Sequence, residues 1–422
     1  MSDSAIEQRL LPDNATVGDG SQLVAGVRLT DIARDFGTPT FVYDEDHLRR
    51  RCQEAVAAFP DGVAYASKAF LCKDMVRIAI DAGMSIDVAT GGEMHVALVA
   101  GADPSRLVLH GNNKSHDEIA EAINVGVGTI VIDSFDEIDR IAHCAPTKPV
   151  HCLVRVTPGV EAHTHEFVRT GADDSKFGFN LANGDAQKAV DIVCSHPSFD
   201  FGGIHTHIGS QIFDEASFAQ SVEVIAPFVK ANGARQLCVG GGLGVAYVAG
   251  EAAPSITEWG AAVKDALRQA GIDDVAVTAE PGRSITAAAA LTLYTVGTIK
   301  DIPGVRTYIS VDGGMSDNPR PVLYGSGYEA FLPRSPQVER PKTATISGKH
   351  CESGDFLVND AQVPDDIAVG DVLCTPVTGA YGYSMASHYN RMARPAVVFV
   401  SNGQARCVLR RETTEDLLRF DC

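Results

Sequence analysis

Lys68 closes the run Val63-Ala64-Tyr65-Ala66-Ser67, whose alternation and β-rich residues read as a core strand. A cationic side chain at the inner end of such a strand seldom lacks a partner, and a primary amine there is a candidate for Schiff-base chemistry. The competing reading is a strand-end lysine whose amine escapes to solvent, so the residues that accompany Lys68 decide between the two. Glu280-Pro281-Gly282-Arg283 closes another strand-like segment and follows the glycine run Gly240-Gly241-Gly242-Leu243-Gly244. Such a run is either a tight turn or an anion cradle, because bare glycine backbone lets N–H groups approach a phosphate. His205 and His207 lie two apart on a strand and face one side, so one could stack on a cofactor ring, or the pair could bind zinc. For His205 a hydrogen-bonded core histidine is the simpler reading. Cys351, within Gly348-Lys349-His350-Cys351-Glu352-Ser353-Gly354-Asp355, is a thiol on a glycine-flanked loop beside an acid, although most single cysteines are buried and inert. His163 and His165 fall in a long segment between strands, read as a mobile flap rather than a metal site.

The elements that must position these residues follow a rhythm. Strand-like segments at 63–67, 85–88, 107–110, 129–132, 150–156, 201–207, 236–240 and 275–280 alternate with helical patterns. Two helix starts carry capping boxes, Ser115 with Glu118 and Ser134 with Glu137. Eight such repeats predict a (β/α)8 barrel. Lys68, Asp87, His110, Asp133, Arg155, His207, Gly240 and Glu280 then come at the C-terminal ends of successive strands, the face on which barrel enzymes keep their chemistry. An open doubly wound sheet would alternate in the same way, but the glycine cluster lacks dinucleotide spacing and comes late. Loops after the seventh and eighth strands of such barrels often bind phosphate, and a phosphate with a lysine on the first strand suggests pyridoxal 5′-phosphate.

From about Ile285 the pattern changes to short β-branched segments at 291–298, 307–311, 343–346, 372–375 and 396–400, which predict an all-β unit, a small barrel or sandwich. The predicted division is an arm over 1–38 packing on the β-unit, a barrel over 39–285 and the β-unit over 286–422. The arm carries a short helical pattern at Thr30 to Phe36, and whether it adds a strand to the β-unit stays open.

With 422 residues, 45% hydrophobic and 21% charged, the composition is that of a soluble globular protein. A net charge of −19 argues against nucleic-acid and anionic-membrane partners and says little about a small-molecule substrate. Ten scattered cysteines without a Cys-x-x-Cys pair, and the lack of a targeting or membrane-spanning pattern, predict a cytoplasmic setting.

Taken in order, Tyr65-Ala66-Ser67-Lys68-Ala69, Asp87 through Gly91-Gly92-Glu93, His110-Gly111-Asn112-Asn113-Lys114, Ser175-Lys176-Phe177-Gly178-Phe179, His207-Ile208-Gly209-Ser210-Gln211, the glycine run, Glu280 to Arg283 and Gly348 to Asp355 form a specific series. From about Thr38 onward the chain resembles the diaminopimelate decarboxylases, pyridoxal-phosphate enzymes with an alanine-racemase-type barrel and a C-terminal β-domain. The resemblance implies that Lys68 carries the cofactor, His207 stacks on its ring, Ser210 and Gly240 to Gly242 hold its phosphate, and Glu280 pairs with the pyridine nitrogen. Asp87, Arg155, Gly282, Arg283 and Tyr381 complete the implied cofactor site. A carboxylate at Glu280 keeps that nitrogen protonated and favours decarboxylation, whereas racemases of this fold carry an arginine there. Arg283, Arg320, Tyr324, Glu352 and Tyr381 are the implied substrate residues, with arginines gripping a distal carboxylate and Glu352 answering a distal ammonium. Cys351 is the implied proton donor, contributed across a homodimer so that the active sites are shared. Ornithine and arginine decarboxylases are similar in the barrel but have no distal carboxylate to grip, and non-catalytic relatives lack the full residue set. Thr90 and Thr157 depart from the family pattern, standing where serine and asparagine are common.

Overall fold

The computed structural model describes residues 5–160 and 174–422. Eight short strands, Ala64–Ala66, Ser85–Val88, Leu107–Leu109, Thr129–Ile132, Val150–Thr157, Phe199–His205, Gln236–Cys238 and Ala276–Thr278, pair in parallel in chain order. A parallel bridge between Val63 and Ala279, with the Ala64 N–H donating to Ala279 O at 2.9 Å and the Ala66 N–H to Pro281 O at 3.1 Å, closes the sheet on itself. The expected (β/α)8 barrel is therefore present. Its strands are apolar on both faces, with Ile86, Val88, Leu107, Leu109, Ile130, Val131 and Ile132 all buried, because helices cover the outside and side chains fill the inside.

The helices begin where local chemistry satisfies their first N–H groups. Ser115 and Glu118 form the expected capping box, and Ser255 with Glu258 forms a second one. At Ser134 only half of the expected box exists: its side chain accepts the Glu137 N–H, but the Glu137 carboxylate turns inward to Lys114 and the Asp133 N–H. Thr90, the departure from the family pattern, caps Gly91–Ala100 by accepting the Glu93 N–H at 3.2 Å. Behind the strands Trp259 is wholly buried between Phe59 and Phe218, ring centroids 4.7 and 5.3 Å away.

The second compact unit comprises the described residues up to Arg50 with Val245–Ala252 and Ile285–Cys422. Its mixed sheet runs in the order Phe356–Val363, Lys342–Ser347, Arg306–Val311, Ala290–Ile302, Thr40–Asp44, Ala396–Ser401, Gln404–Leu409, and Val372–Pro376 pairs with Ala290–Ile302. Thr40–Asp44 falls within the predicted barrel range, yet it lies antiparallel to Ala290–Leu293 and parallel to Ala396–Val400. Its five residues are all buried, and neighbours on both sides satisfy its backbone. The arm before it forms a separate three-stranded antiparallel sheet, Ala15–Gly18, Ser21–Val24 and Val27–Arg28, followed by the helix Leu29–Phe36. Leu11, Val24, Leu29 and Ile32 pack into one core with Val42, Leu291, Leu293, Phe331, Val398 and Val400.

Candidate active site

At the C-terminal ends of the barrel strands the buried centre is Glu280, two residues beyond Ala276–Thr278. Its Oε1 lies 2.9 Å from Nε2 of His110, which follows the third strand, and its Oε2 lies 3.0 Å from Nε2 of His205, the last residue of the sixth. Burial works against an ionised Glu280, but His110 and His205 outweigh it and hold the carboxyl well below its ordinary value. Burial likewise disfavours a charged His110, and the Asp87 and Glu280 carboxylates override it and raise its pKa. Desolvation drives His205 down to about 4 against the pull of Glu280, so it is neutral at pH 7 and donates its Nε2 proton. Burial raises the Asp87 carboxyl, which lies 3.8 Å from His110, so the firm negative charge of the cluster is on Glu280.

Lys68 sits in the single turn Ser67–Ala69 after the first strand, exposed, and its charge is felt by Asp87, Glu93 and His207. Glu93 accepts the Ala89 N–H at 2.6 Å. Arg155, from the fifth strand, meets Asp133 at 3.4 Å and lies 4.3 Å above the Phe177 ring. The other Asp133 oxygen accepts the Gly178 N–H at 2.6 Å, and Thr157 donates to Phe177 O at 2.8 Å, which fixes the Ser175 to Phe179 motif.

The glycine run follows the seventh strand. A Cβ at Gly241 would fall 2.3 Å from Glu280 O, and one at Gly242, where φ is +111°, would fall 2.3 Å from Gly209 O, so only glycine fits this turn between the strand ends. The Gly241 N–H donates to His207 Nδ1 at 3.1 Å, leaving the His207 proton on Nε2. Burial, then the Lys68 and Arg155 charges, hold His207 neutral. Arg283 donates to Ser210 Oγ at 3.0 Å, and Gly282 packs against Ala66, where a Cβ would lie 3.0 Å from Ala66 O. A half-buried neutral imidazole, a glycine cradle with an arginine and a serine, a buried carboxylate fixed as an anion and a lysine amine suit a planar cationic heterocycle bearing a phosphate and an aldehyde.

In the second unit Arg320 is buried, with Nη1 donating to Tyr328 OH at 2.8 Å and its guanidinium 4.2 Å from the Tyr247 ring. Among the described residues no carboxylate lies within ion-pair distance of it. Tyr324 is half-buried at the end of the short helix Arg320–Tyr324, and Tyr381 holds a left-handed φ of +60°. Cys351 and Glu352 are exposed on their loop, whereas His350 and Asp355 beside them are buried.

The strand ends thus bring together Lys68, Asp87, Arg155, His207, Gly240 to Gly242 and Glu280, with Ser210, Gly282 and Arg283 on the loops that follow. His163 and His165 lie outside the described residues. The His-x-His pair is split: His207 serves the glycine turn, and His205 has a hydrogen-bond partner as expected, but that partner is Glu280. Among the described residues, His110, His205 and Glu280 are the group whose ligand atoms could gather a metal, lying within 4.8 Å of one another. His110 was legible as a strand-end residue and as the first residue of the motif running to Lys114, but not as a partner of Glu280. Its tie to Glu280 spans 170 positions, which no local pattern registers.

A parallel barrel with a lysine, a glycine cradle and a buried carboxylate at its strand ends defines a pyridoxal-dependent enzyme class, and residues 45–287 match the family model described as pyridoxal-dependent decarboxylase, pyridoxal binding domain. Diaminopimelate decarboxylase of Mycobacterium tuberculosis is 45% identical over 97% of each chain, and that of Bacillus subtilis 44% identical over 94% of each. The crystal structure of diaminopimelate decarboxylase from M. jannaschii in complex with L-lysine superposes with a TM-score of 0.90 at 30% identity, covering 97% of this chain and 98% of that one. The chain belongs to the diaminopimelate decarboxylase family. No helix among the described residues is long and apolar enough to cross a membrane.

Proposed function

We propose that the protein decarboxylates meso-2,6-diaminopimelate to L-lysine and carbon dioxide with pyridoxal 5′-phosphate, as a cytoplasmic homodimer. The observation that carries this reading is Glu280, a buried carboxylate held ionised by His110 and His205. When bound, the cofactor supplies an electron sink for the pair left at the α-carbon as carbon dioxide departs. Glu280 would hold a proton on the ring nitrogen, Lys68 would bind the cofactor through its amine, and neutral His207 would stack on the ring. Ser210, Gly240, Gly241 and Gly242 would hold the phosphate. Asp87, Arg155, Gly282, Arg283 and Tyr381 would complete the cofactor site. Arg283, Arg320, Tyr324 and Tyr381 bind the substrate, Glu352 answers its distal ammonium, and Cys351 delivers the proton that replaces the lost carboxylate. Buried Arg320, with no carboxylate partner among the described residues, supports a substrate with a second carboxylate over ornithine or arginine.

Protein reconstituted with pyridoxal 5′-phosphate and given meso-diaminopimelate, L-ornithine or L-arginine in turn should release carbon dioxide only from the first, with L-lysine as co-product. Turnover of ornithine or arginine alone would overturn the substrate. Failure to develop absorbance at about 400 nm on reconstitution would overturn the cofactor.

A further inference from the structure

Asn390 approaches the Cys351 loop from 39 residues away, and its Oδ1 accepts the Cys351 N–H at 3.1 Å. That bond fixes the amide orientation, since the flipped carboxamide would set an NH2 against a backbone N–H. The same oxygen lies 3.1 Å from His350 Nδ1, which must then carry the ring proton, leaving Nε2 to accept from Ser316 Oγ at 2.8 Å. The His350 N–H donates to Asp355 Oδ2 at 2.9 Å, and Asp355 Oδ1 accepts the Met315 N–H at 2.7 Å. The loop around Asn390 is itself anchored, through the Ser387 N–H to Ser316 O at 2.8 Å, His388 to Glu412 at 2.6 Å and Arg391 to Leu417 O at 2.7 Å. The Tyr389 ring lies 5.2 Å from that of His350. Asn390 holds this position in a left-handed conformation, φ 51° and ψ 28°, which asparagine, aspartate and glycine tolerate better than other residues.

We propose that Asn390 is a positioning residue for the reaction, whose carboxamide oxygen fixes the Cys351 backbone and the His350 tautomer so that the thiol is presented in one orientation. The inference rests on the reading of Cys351 as the proton donor. Cys351, Glu352 and Ser353 are exposed, and a thiol that must deliver a proton to one carbon needs a fixed approach. The bland alternative is that Asn390 is present only because its turn requires a left-handed residue.

Asn390→Gly separates the two, because glycine keeps the backbone conformation and removes the acceptor, while Asn390→Asp keeps both. In the reconstituted enzyme, Asn390→Gly should unfold at the wild-type temperature, lose about tenfold in kcat, the size of one net hydrogen bond, and leave KM nearly unchanged. Alkylation of Cys351 by iodoacetamide, followed by peptide mass spectrometry, should change several-fold, with exposed Cys194, Cys407 and Cys422 as unchanged internal references. Asn390→Asp should restore most of both. Ser316→Ala, which cuts the same chain of bonds one step further back, should move the alkylation rate in the same direction, and it serves as the probe if the glycine variant is poorly folded. Wild-type alkylation in both variants overturns the inference, whatever happens to kcat. Altered alkylation with wild-type kcat keeps the positioning role of Asn390 and instead removes Cys351 from the mechanism.

Discussion

The Lys114 ammonium donates to Glu137 Oε1 at 2.6 Å, with both side chains about 1% exposed. Its other protons go to Gly111 O at 2.8 Å and Val131 O at 2.6 Å, and Glu137 Oε2 accepts the Asp133 N–H at 3.0 Å. One buried pair therefore ties the end of the third strand, which carries His110, to the end of the fourth, whose Asp133 holds Arg155 and Gly178.

Removing one member of such a pair leaves the other charged and dry. Lys114→Met should destabilise the protein by about 3–5 kcal/mol, whereas Lys114→Met with Glu137→Leu should recover much of that loss. Urea unfolding of both variants checks this. Equal destabilisation by the single and the double variant would show that charge is not what the site needs.

A second expectation concerns His110. Its charge and hydrogen bond help hold Glu280 well below the ordinary carboxylate value, while burial pushes the other way. His110→Gln removes the positive charge, so the Glu280 pKa should rise, and the acidic limb of kcat against pH should move toward neutrality. A pH profile measured on the reconstituted variant tests the direction. A limb that stays in place would mean that His205 alone suffices.

The barrel was legible because each strand is short, apolar on both faces and ended by a polar residue, a pattern contained in a few neighbouring positions. The expected strands at 291–298, 307–311, 343–346, 372–375 and 396–400 are present for the same reason, each being an alternating β-branched run. What local reading missed is long-range. Glu137 matched a capping box three residues after Ser134, but Lys114 competes for its carboxylate from 23 positions away. Thr40–Asp44 gave no sign that its partners are near 290 and 396, and Gln404–Leu409 escaped because half-exposed, arginine-bearing strands lack apolar alternation. His205 was read as a core histidine because sequence shows burial but not the partner.

Asp317 gives a pH-dependent stability. Burial pushes its carboxyl up to about 7, the Gly314 N–H pulls it down, and the nearby Asp355 charge adds to the rise. Because the folded pKa is above the unfolded value of about 4, the native state keeps a proton that the unfolded chain has lost. Stability should therefore fall as pH rises from about 4 to about 7, by on the order of a few kcal/mol from this group. Asp317→Asn keeps an acceptor for the Gly314 N–H, 2.7 Å away, and cannot ionise. The difference between wild-type and variant stability should slope across that window and be flat above it. A constant difference from pH 4 to 8 would mean that Asp317 titrates normally in the fold.

The last expectation tests whether active sites are shared between two copies of the chain. Lys68 follows the first strand of the barrel unit, and Cys351 lies on a loop of the other unit, so nothing in the covalent order requires both to serve a site from one chain. If Cys351 serves the partner's cofactor, a chain with Lys68→Ala and a chain with Cys351→Ala, each nearly inactive alone, form a heterodimer with one site that has both residues and one that has neither. Random reassortment gives half heterodimers, each with one intact site of two, so roughly a quarter of wild-type kcat per chain should return. Exchange in mild denaturant followed by dilution produces the mixture, and native mass spectrometry counts the heterodimers. Should Cys351 act within its own chain, each heterodimer site carries one lesion, and the mixture stays as inactive as its parents. A chain that sediments as a monomer under assay conditions, with full activity, would remove the shared site altogether.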